Sequence, residues 1–222
     1  LQPPERVVTY RREIKQGFHK YPALTDLDEI AQVLEDNENS GASWQIKKST
    51  ELSFYIAERI INLRMLRWDQ IDKAECVATI PRRLMKIKAQ TVESAPRKGV
   101  VRQDHDVPLA PRAMAILRSI ERVGPYVFHS PRDVNKPLDA TCLEKHFRET
   151  LGLRGRHVPH GSRSSMTTWA RGETKPNGEP QYPVSVIEVA LDHGWDETYT
   201  RKEALRQMRF VYEGWADALD EA

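Results

Sequence analysis

Two phrases, HVPHGSR at residues 157–163 and LDHGWDETY at residues 191–199, decide how the rest of the chain is interpreted. His160 and Arg163 are three residues apart at the predicted start of a helix, where both side chains can face one anionic group. The second phrase supplies another histidine and a tyrosine close enough to reach the same point. Arginine holds a phosphate through two parallel hydrogen bonds and keeps its charge at neutral pH. No glycine-rich nucleotide loop accompanies these residues, so the predicted phosphate belongs to something larger than a nucleotide.

The composition is that of a soluble globular protein with a highly charged surface. Of the 222 residues, 39% are hydrophobic and 30% are charged, which is enough for one sizeable core. No apolar run approaches the length needed to span a bilayer. Cys76 and Cys142 are far apart in the sequence, which favours thiols in a reducing compartment over a disulfide framework. The composition therefore argues against membrane-spanning and disulfide-stapled classes.

Positive charge is concentrated in two places, although the formal net charge is only +2. Seven lysines or arginines lie between residues 82 and 102, where Glu93 is the only acidic residue. Four arginines follow between residues 154 and 171, whereas acidic residues gather near 26–38 and at the C-terminal end. This distribution is typical of a protein that binds a polyanion on one face. Charge runs taken alone favour a solvated surface, so this alternative stays open.

Hydrophobic periodicity predicts a mainly α protein with a small antiparallel β-sheet, an α+β class. Helices are predicted to begin at Thr25, at Pro111 and at a capping box opened by Thr141. A final helix has an apolar seam over residues 205–219, and it docks either on its own domain or on a neighbouring protomer. The predicted strands are 76–80, 106–109 and 126–128.

A helix predicted over residues 51–66 carries one charged residue, Arg59, on its apolar stripe. A buried charge without a partner is very costly. Arg59 therefore needs a core carboxylate, a path to water for its guanidinium, or an anion bound in a site. The residues alone leave these three alternatives open.

The order of these elements resembles the catalytic domain of tyrosine recombinases, and more narrowly that of prophage and genomic-island integrases. The elements, in chain order, are Arg59, MK at 85–86, HGSR at 160–163, LDH at 191–193 and the segment from Tyr199 to Arg201. The flanking phrases that also match are HKYPAL at 19–24, LRWDQID at 66–72, TIP at 79–81, VPL at 107–109, TTWA at 167–170 and WADAL at 215–219. No single element is specific for the family. Five elements in the correct order, with these flanking phrases, are strong evidence for the resemblance.

The resemblance implies roles for individual residues. Arg59 and Arg163 are expected to clamp a scissile DNA phosphate, with His160 as the partner of Arg163. His193 is expected to contact the same phosphate, and Tyr199 is expected to be the nucleophile.

The chain also departs from the family pattern. The lysine that the family uses is expected at Lys86, with Lys98 as the competitor, because the basic hairpin is longer than usual. Asn62 stands where the family usually carries a glutamate, so a helix-orienting contact is expected to be lost. The segment between His193 and Tyr199 is shorter than usual, which bears on how the tyrosine is presented.

The function that the resemblance implies is site-specific DNA recombination, the integration or excision of a mobile element. The reaction would proceed by DNA cleavage and rejoining through a covalent 3′-phosphotyrosine intermediate, with no cofactor and no metal. The expected partners are double-stranded DNA attachment sites, a homotetramer on that DNA, and accessory DNA-bending or directionality proteins. The expected location is the cytoplasm of a bacterium, at the nucleoid. Residues 1–24 are predicted to be a linker from an upstream DNA-binding domain, and residues 25–222 to be the catalytic domain.

Two other functions fit the same residues. One is a catalytically decayed integrase remnant that binds DNA without cutting it, and the other is a DNA-relaxing enzyme similar to type IB topoisomerases. A metal site built from His157, His160 and His193 is disfavoured, because no acidic or cysteine ligand lies at a familiar spacing and the nearby arginines would repel the ion.

Overall fold

The computed structural model of the protein describes residues 22–85, 104–192 and 200–222. Its α-helices are α1 (Leu27–Asn39), α2 (Trp44–Ile56), α3 (Ile60–Arg64), α4 (Pro111–Arg118), α5 (Ala140–Lys145), α6 (Gly161–Gly172), α7 (Val184–Ala190) and α8 (Arg201–Asp220). Its strands are β1 (Ile71–Asp72), β2 (Val77–Ile80), β3 (His105–Pro108), β4 (His129–Ser130) and β5 (Asp133–Pro137). A short π-helical turn, His146–Thr150, continues α5. The predicted class, mainly α with a small antiparallel sheet, is confirmed.

The larger sheet has the order β1-β2-β3, and both pairings are antiparallel. Thr79 lies opposite Asp106 and Ile80 lies opposite His105, so the strands predicted around 76–80 and 106–109 pair as expected. Successive side chains of a strand point to opposite faces. His105 and Asp106 therefore face different neighbours, and both make buried polar contacts that matter for the site.

The third predicted strand, over residues 126–128, is wrong. Tyr126 makes only an isolated bridge with Arg67, and the regular strand begins later, at β4, which pairs with β5 in a separate hairpin. The amide of Val127 donates to the carbonyl of Leu66, so this segment is tied to the loop after α3. Residues 127 and 128 are both buried, which explains why they resembled a strand without forming one.

The cap of the first helix lies one residue later than predicted, at Asp26 rather than Thr25. The Asp26 carboxylate accepts a hydrogen bond from the amide of Glu29 at 3.2 Å. Similarly, Asp139 rather than Thr141 caps α5, and accepts from the amide of residue 141 at 2.8 Å. In both cases an aspartate, which caps helices at least as well as threonine, stands close to the predicted cap.

The predicted helix over residues 51–66 is interrupted. Helix α2 ends at Ile56, the next residue, Ala57, has a φ of 45° in the left-handed region, and α3 begins only at residue 60. Arg59 therefore lies in a short extended connection and not on a continuous helical stripe. The apolar periodicity persisted across the break because both helices bury apolar side chains in the same core. The break takes Glu58 and Arg59 out of the helical path, so that Glu58 contacts Arg163 of α6 and Arg59 lies near Asp192.

The final helix, α8, is confirmed, and it packs against its own domain. Trp215 and Tyr212 are fully buried, and the indole Nε1 of Trp215 donates to the carbonyl of Phe54 in α2 at 2.7 Å. At its start, Arg201 forms two hydrogen bonds with the Asp106 carboxylate, at 2.5 and 2.6 Å. Helix α8 therefore contacts the sheet at its N-terminal end and packs against the helical core near its C-terminal end.

Within the described ranges, no helix is long and apolar enough to cross a membrane. The linker predicted over residues 1–24 falls almost entirely outside those ranges, so this domain assignment stays a prediction.

Candidate active site

Arg163 is fixed in place near the start of α6. Only 3% of the residue is exposed, and its guanidinium donates to three acceptors. Nη1 lies 3.2 Å from the carbonyl oxygen of Ala57 and 3.2 Å from Oε1 of Glu58, while Nη2 donates to the carbonyl of Leu191. Ala57 and Glu58 are adjacent residues and Leu191 lies on a different segment; because a guanidinium is planar, acceptors on both sides determine the orientation of its plane.

The helix that carries Arg163 can begin where it does because residue 161 is glycine. A Cβ atom at Gly161 would lie 2.6 Å from the carbonyl oxygen of Pro22, which is closer than a carbon can approach. His160 directly precedes this glycine and is half-buried. The HGSR phrase therefore places His160 and Arg163 at the same end of α6, as predicted.

Glu58 lies at the centre of the site. The residue is 1% exposed, and its two carboxylate oxygens divide their contacts. Oε1 accepts from Arg163 and lies 3.2 Å from Nε2 of His105. Oε2 accepts from the amide of Arg59 at 3.2 Å and from Nδ2 of Asn62 at 2.6 Å. One carboxylate thus joins α6, β3, α3 and the connection that carries the second candidate arginine.

The Glu58 carboxyl is ionised at neutral pH. Burial alone would raise its pKa, but the charge of Arg163 and the hydrogen bond from His105 outweigh burial, so the pKa lies well below its usual range. The ion pair is consequently present across the physiological pH range, and Asn62 is bonded to a charged neighbour rather than left without a contact.

Arg59 points toward a second carboxylate, Asp192. Nη1 of Arg59 lies 3.8 Å from Oδ2 of Asp192, and Arg82, just beyond β2, lies closer, with Nη1 2.9 Å from both oxygens. Burial, followed by the charge of Arg163, lowers the pKa of Arg59 from its ordinary value. Asp192 itself has a left-handed backbone with φ of 54°, which only a few residue types tolerate. The site therefore brings together three arginines and two carboxylates.

Four of the predicted residues, Lys86, the competing Lys98, His193 and Tyr199, lie outside the described ranges. Their described neighbours reach the site. Asp192, which precedes His193, lies beside Arg59. Arg201 is bound to Asp106, the strand neighbour of the His105 that contacts Glu58.

His157 is a core residue. Its ring is stacked with Phe54 and Phe147, with centroids 5.1 and 5.5 Å away. Nδ1 accepts from the amide of Leu24 at 3.1 Å, and Nε2 lies 3.4 Å from Oγ of Ser162. Both ring nitrogens are thus engaged inside the core. The described ranges also contain no group of three or more His, Cys, Asp or Glu residues arranged to hold a metal.

Burial lowers the pKa of His157 to about 4, which predicts an acid-sensitive fold. In the unfolded chain the pKa is about 6.5, so between pH 6.5 and 4 the unfolded state binds more protons than the folded state. The free energy of unfolding should fall across this interval by up to about 3 kcal/mol. Urea unfolding at a series of pH values measures this slope. The substitution His157→Gln should flatten it, and an unchanged slope would contradict the assignment.

Sequence reasoning missed four residues of the site, namely Glu58, Arg82, His105 and Asp192. Arg82 lies at the start of the basic run between residues 82 and 102, and no motif in the sequence singles out His105. The available signal was the acidic residue directly before Arg59 in an otherwise apolar segment. A charged pair within a core segment is expected to find partners, and here both members do.

Most of this chain is similar in sequence to known proteins. No protein-family model matches it. Prophage integrase IntZ of Escherichia coli K12 is 29% identical over 211 residues, which cover 93% of this chain and 46% of that protein. Prophage integrase IntA of the same organism is 29% identical over 163 residues, covering 70% and 34%. The integrase of Shigella phage Sf6 is 25% identical over 181 residues, covering 78% and 41%. The chain thus spans less than half the length of these relatives.

Solved structures match this chain in fold. The integrase from mycobacterium phage Brujita matches with a TM-score of 0.57 at 12% identity, over 88% of this chain and 58% of that one. A lambda integrase tetramer bound to a Holliday junction matches with a TM-score of 0.52 at 14% identity, over 86% and 57%. XerA recombinase matches with a TM-score of 0.51 at 16% identity, over 87% and 64%. At these identities the likeness concerns the fold.

Proposed function

We infer that this chain, which has the fold of a tyrosine recombinase catalytic domain and resembles prophage integrases over most of its length, catalyses site-specific DNA recombination. The reaction is the integration or excision of a mobile element by cutting and rejoining DNA strands. It proceeds through a covalent 3′-phosphotyrosine intermediate.

The observation that carries this proposal is a buried donor without an acceptor at Arg59. Within the described ranges, Nη1 of Arg59 makes no hydrogen bond, although the side chain is only 12% exposed. Buried donors normally have acceptors, so an anion bound beside Arg59 would complete the site. Two guanidiniums, Arg59 and Arg163, suit the two non-bridging oxygens of a phosphodiester. His193, the residue after Asp192, is assigned as a further contact to the same phosphate.

The chemistry divides into an attack and two proton transfers. The Tyr199 oxygen attacks phosphorus, so that a bond to the tyrosine forms and the bond to the 5′ oxygen breaks. His160 accepts the proton of the tyrosine hydroxyl, and Lys86, in preference to Lys98, gives a proton to the departing 5′ oxygen. The arginines offset the charge that gathers on the phosphate in the transition state. The phosphotyrosyl bond retains the energy of the broken bond, so rejoining requires no ATP.

Two described tyrosines are poorly placed for this role, which supports Tyr199. Tyr212 is fully buried, and its hydroxyl donates to the carbonyl of Ala190 at 3.2 Å. Burial also raises the pKa of Tyr212 well above its usual range. Tyr182 is 5% exposed and packs against Trp169, with ring centroids 5.3 Å apart.

The partner we propose is double-stranded DNA carrying attachment sites. Relatives by structure include a lambda integrase tetramer bound to a Holliday junction and a Tn1549 transposon integrase in complex with circular intermediate DNA. The first supports our proposal of a homotetramer that brings two DNA sites together, and the second supports DNA as the partner; we propose accessory DNA-bending or directionality proteins on the family resemblance alone. The corresponding location is the bacterial cytoplasm, at the nucleoid.

The test is a covalent protein–DNA adduct formed without metal. The protein is incubated with supercoiled plasmid in EDTA, the reaction is stopped with SDS, and protein bound to DNA is quantified. We expect an SDS-resistant adduct, and tandem mass spectrometry of the digested adduct should place the nucleotide on Tyr199. A nucleotide on Tyr182 or Tyr212 would contradict the assigned nucleophile, and an adduct that disappears in EDTA would contradict the metal-free mechanism.

The same experiment separates the two alternative functions. DNA binding without any adduct identifies a decayed integrase that only binds DNA. Adduct formation with relaxation of the plasmid, but no recombination between two paired sites, identifies an enzyme similar to type IB topoisomerases.

A further inference from the structure

We propose that Glu58 is a positioning residue for DNA cleavage: its carboxylate sets the orientation of Arg163 and of the connection that carries Arg59. The inference rests on the proposed function, because it concerns how the two phosphate-binding arginines are held. It assigns the role to position 58, in the connection between α2 and α3, whereas the family resemblance predicts an acidic residue at position 62, which is asparagine here.

The two carboxylate oxygens of Glu58 are shared between the Arg163 side chain and the Arg59 backbone. Oε1 lies 3.2 Å from Nη1 of Arg163, while Oε2 accepts from the amide of Arg59 at 3.2 Å. One rigid group therefore contacts the guanidinium of one arginine and the backbone of the other. A shift of this group displaces both arginines together.

The Glu58 carboxylate is completely enclosed by protein. The side chain of Glu58 is 0% exposed, so water cannot replace a lost contact. Nε2 of His105 in β3 and Nδ2 of Asn62 in α3 occupy the remaining acceptor positions, at 3.2 and 2.6 Å. Oδ1 of Asn62 has no partner within the described ranges, so position 62 depends on Glu58 for its main contact. The sheet and two helical segments are thereby joined through one charge.

The orientation of the Arg163 guanidinium depends on the charge of Glu58. Its other acceptors are two backbone carbonyls, of Ala57 and Leu191, which are neutral. Glu58 supplies the only negatively charged partner that Arg163 has in the described ranges, so this contact adds the attraction of opposite charges to a hydrogen bond. Without the negative charge, the planar guanidinium loses the contact that fixes it most firmly. We expect both guanidiniums then to meet the phosphate less accurately.

The experiment compares Glu58→Gln with a matched control, Glu51→Gln. Glu51 is also a nearly buried carboxylate, paired with Arg112 at 3.0 Å and Lys48 at 2.8 Å, but it touches none of the candidate site residues. At saturating DNA, Glu58→Gln should form the adduct about 100-fold more slowly than the wild type, comparable to the loss of one electrostatic contact in other enzymes. Glu51→Gln should form it at the wild-type rate. Glu58→Asp, which keeps the charge one methylene further away, should be intermediate and guards against misfolding of the first variant.

A second substrate distinguishes positioning from a merely structural role. A methylphosphonate at the cleaved position replaces one non-bridging oxygen with a methyl group and leaves the linkage uncharged, so that less charge remains for the arginines to offset. The defect of Glu58→Gln should then shrink to about one tenth of its size on the normal phosphate. An equal defect on both substrates, or no defect on either, would overturn the proposal. Absence of any adduct in the wild type would instead overturn the proposed function itself.

Discussion

Replacing Arg163 with methionine is expected to reduce the rate of adduct formation by at least about 10³-fold and to destabilise the fold. The rate falls because one of the two guanidiniums that hold the phosphate is removed. The fold is destabilised because the Glu58 carboxylate stays buried after losing its cationic partner, at a cost of about 3 to 5 kcal/mol. Adduct formation under SDS quench and urea unfolding at pH 7 measure the two effects separately.

Arg163→Lys separates charge from geometry at this position. Lysine keeps the positive charge but cannot serve three acceptors with a planar fork, so we expect about a 100-fold slower reaction with a smaller loss of stability. Arg148→Met is the matched control, because the Arg148 side chain is 49% exposed and is paired with Glu149 at the surface. The control should change neither quantity. Full activity in Arg163→Met would contradict the assignment of the phosphate site.

Replacing Trp215 with alanine is expected to lower the free energy of unfolding by about 3 to 5 kcal/mol. Trp215 is fully buried, packs against Trp169 with ring centroids 5.4 Å apart, and donates its indole hydrogen to the carbonyl of Phe54. Its loss opens a cavity where α8 meets α2. Urea or thermal unfolding, followed by circular dichroism, measures the change.

Phe210→Ala provides the control for this substitution. Phe210 is on the same helix but is 51% exposed, and its ring lies beside Tyr182 at 5.1 Å between centroids. We expect its loss to cost less than about 1 kcal/mol, because it removes little buried surface. If both variants unfold alike, α8 does not owe its position to packing within its own domain.

Much of the fold could be predicted from the sequence because its signals are local or ordered along the chain. Strand β2 is rich in β-branched residues and is followed by a proline, β3 ends at a proline, and α8 repeats its apolar residues at helical spacing over residues 205–219. The positions of His160 and Arg163 followed from their spacing in HGSR. Each of these depends on neighbours within a few residues.

The rest of the site could not be predicted because it depends on a backbone break that leaves no mark in the periodicity. Ala57 is a strong helix former, yet it is left-handed, and the apolar pattern continues past it. In one continuous helix over residues 51–66, the sequence would not indicate which side chains Glu58 contacts. The contacts of Glu58 with Arg163 and His105 join residues 105 and 47 positions apart, which no local pattern reports.

The left-handed turn at Ala57 also limits how this part of the protein can change over many generations. Glycine adopts a φ of 45° freely, whereas a residue with a Cβ, alanine included, is strained there by about 1 to 2 kcal/mol, and β-branched valine and isoleucine are strained further. Drift from alanine to glycine is therefore tolerated, but drift to a β-branched residue is selected against. An insertion or deletion between residues 56 and 60 would rotate Glu58 away from Arg163. Lineages that keep this glutamate should accordingly inherit a small residue at 57 and an unchanged loop length together with it.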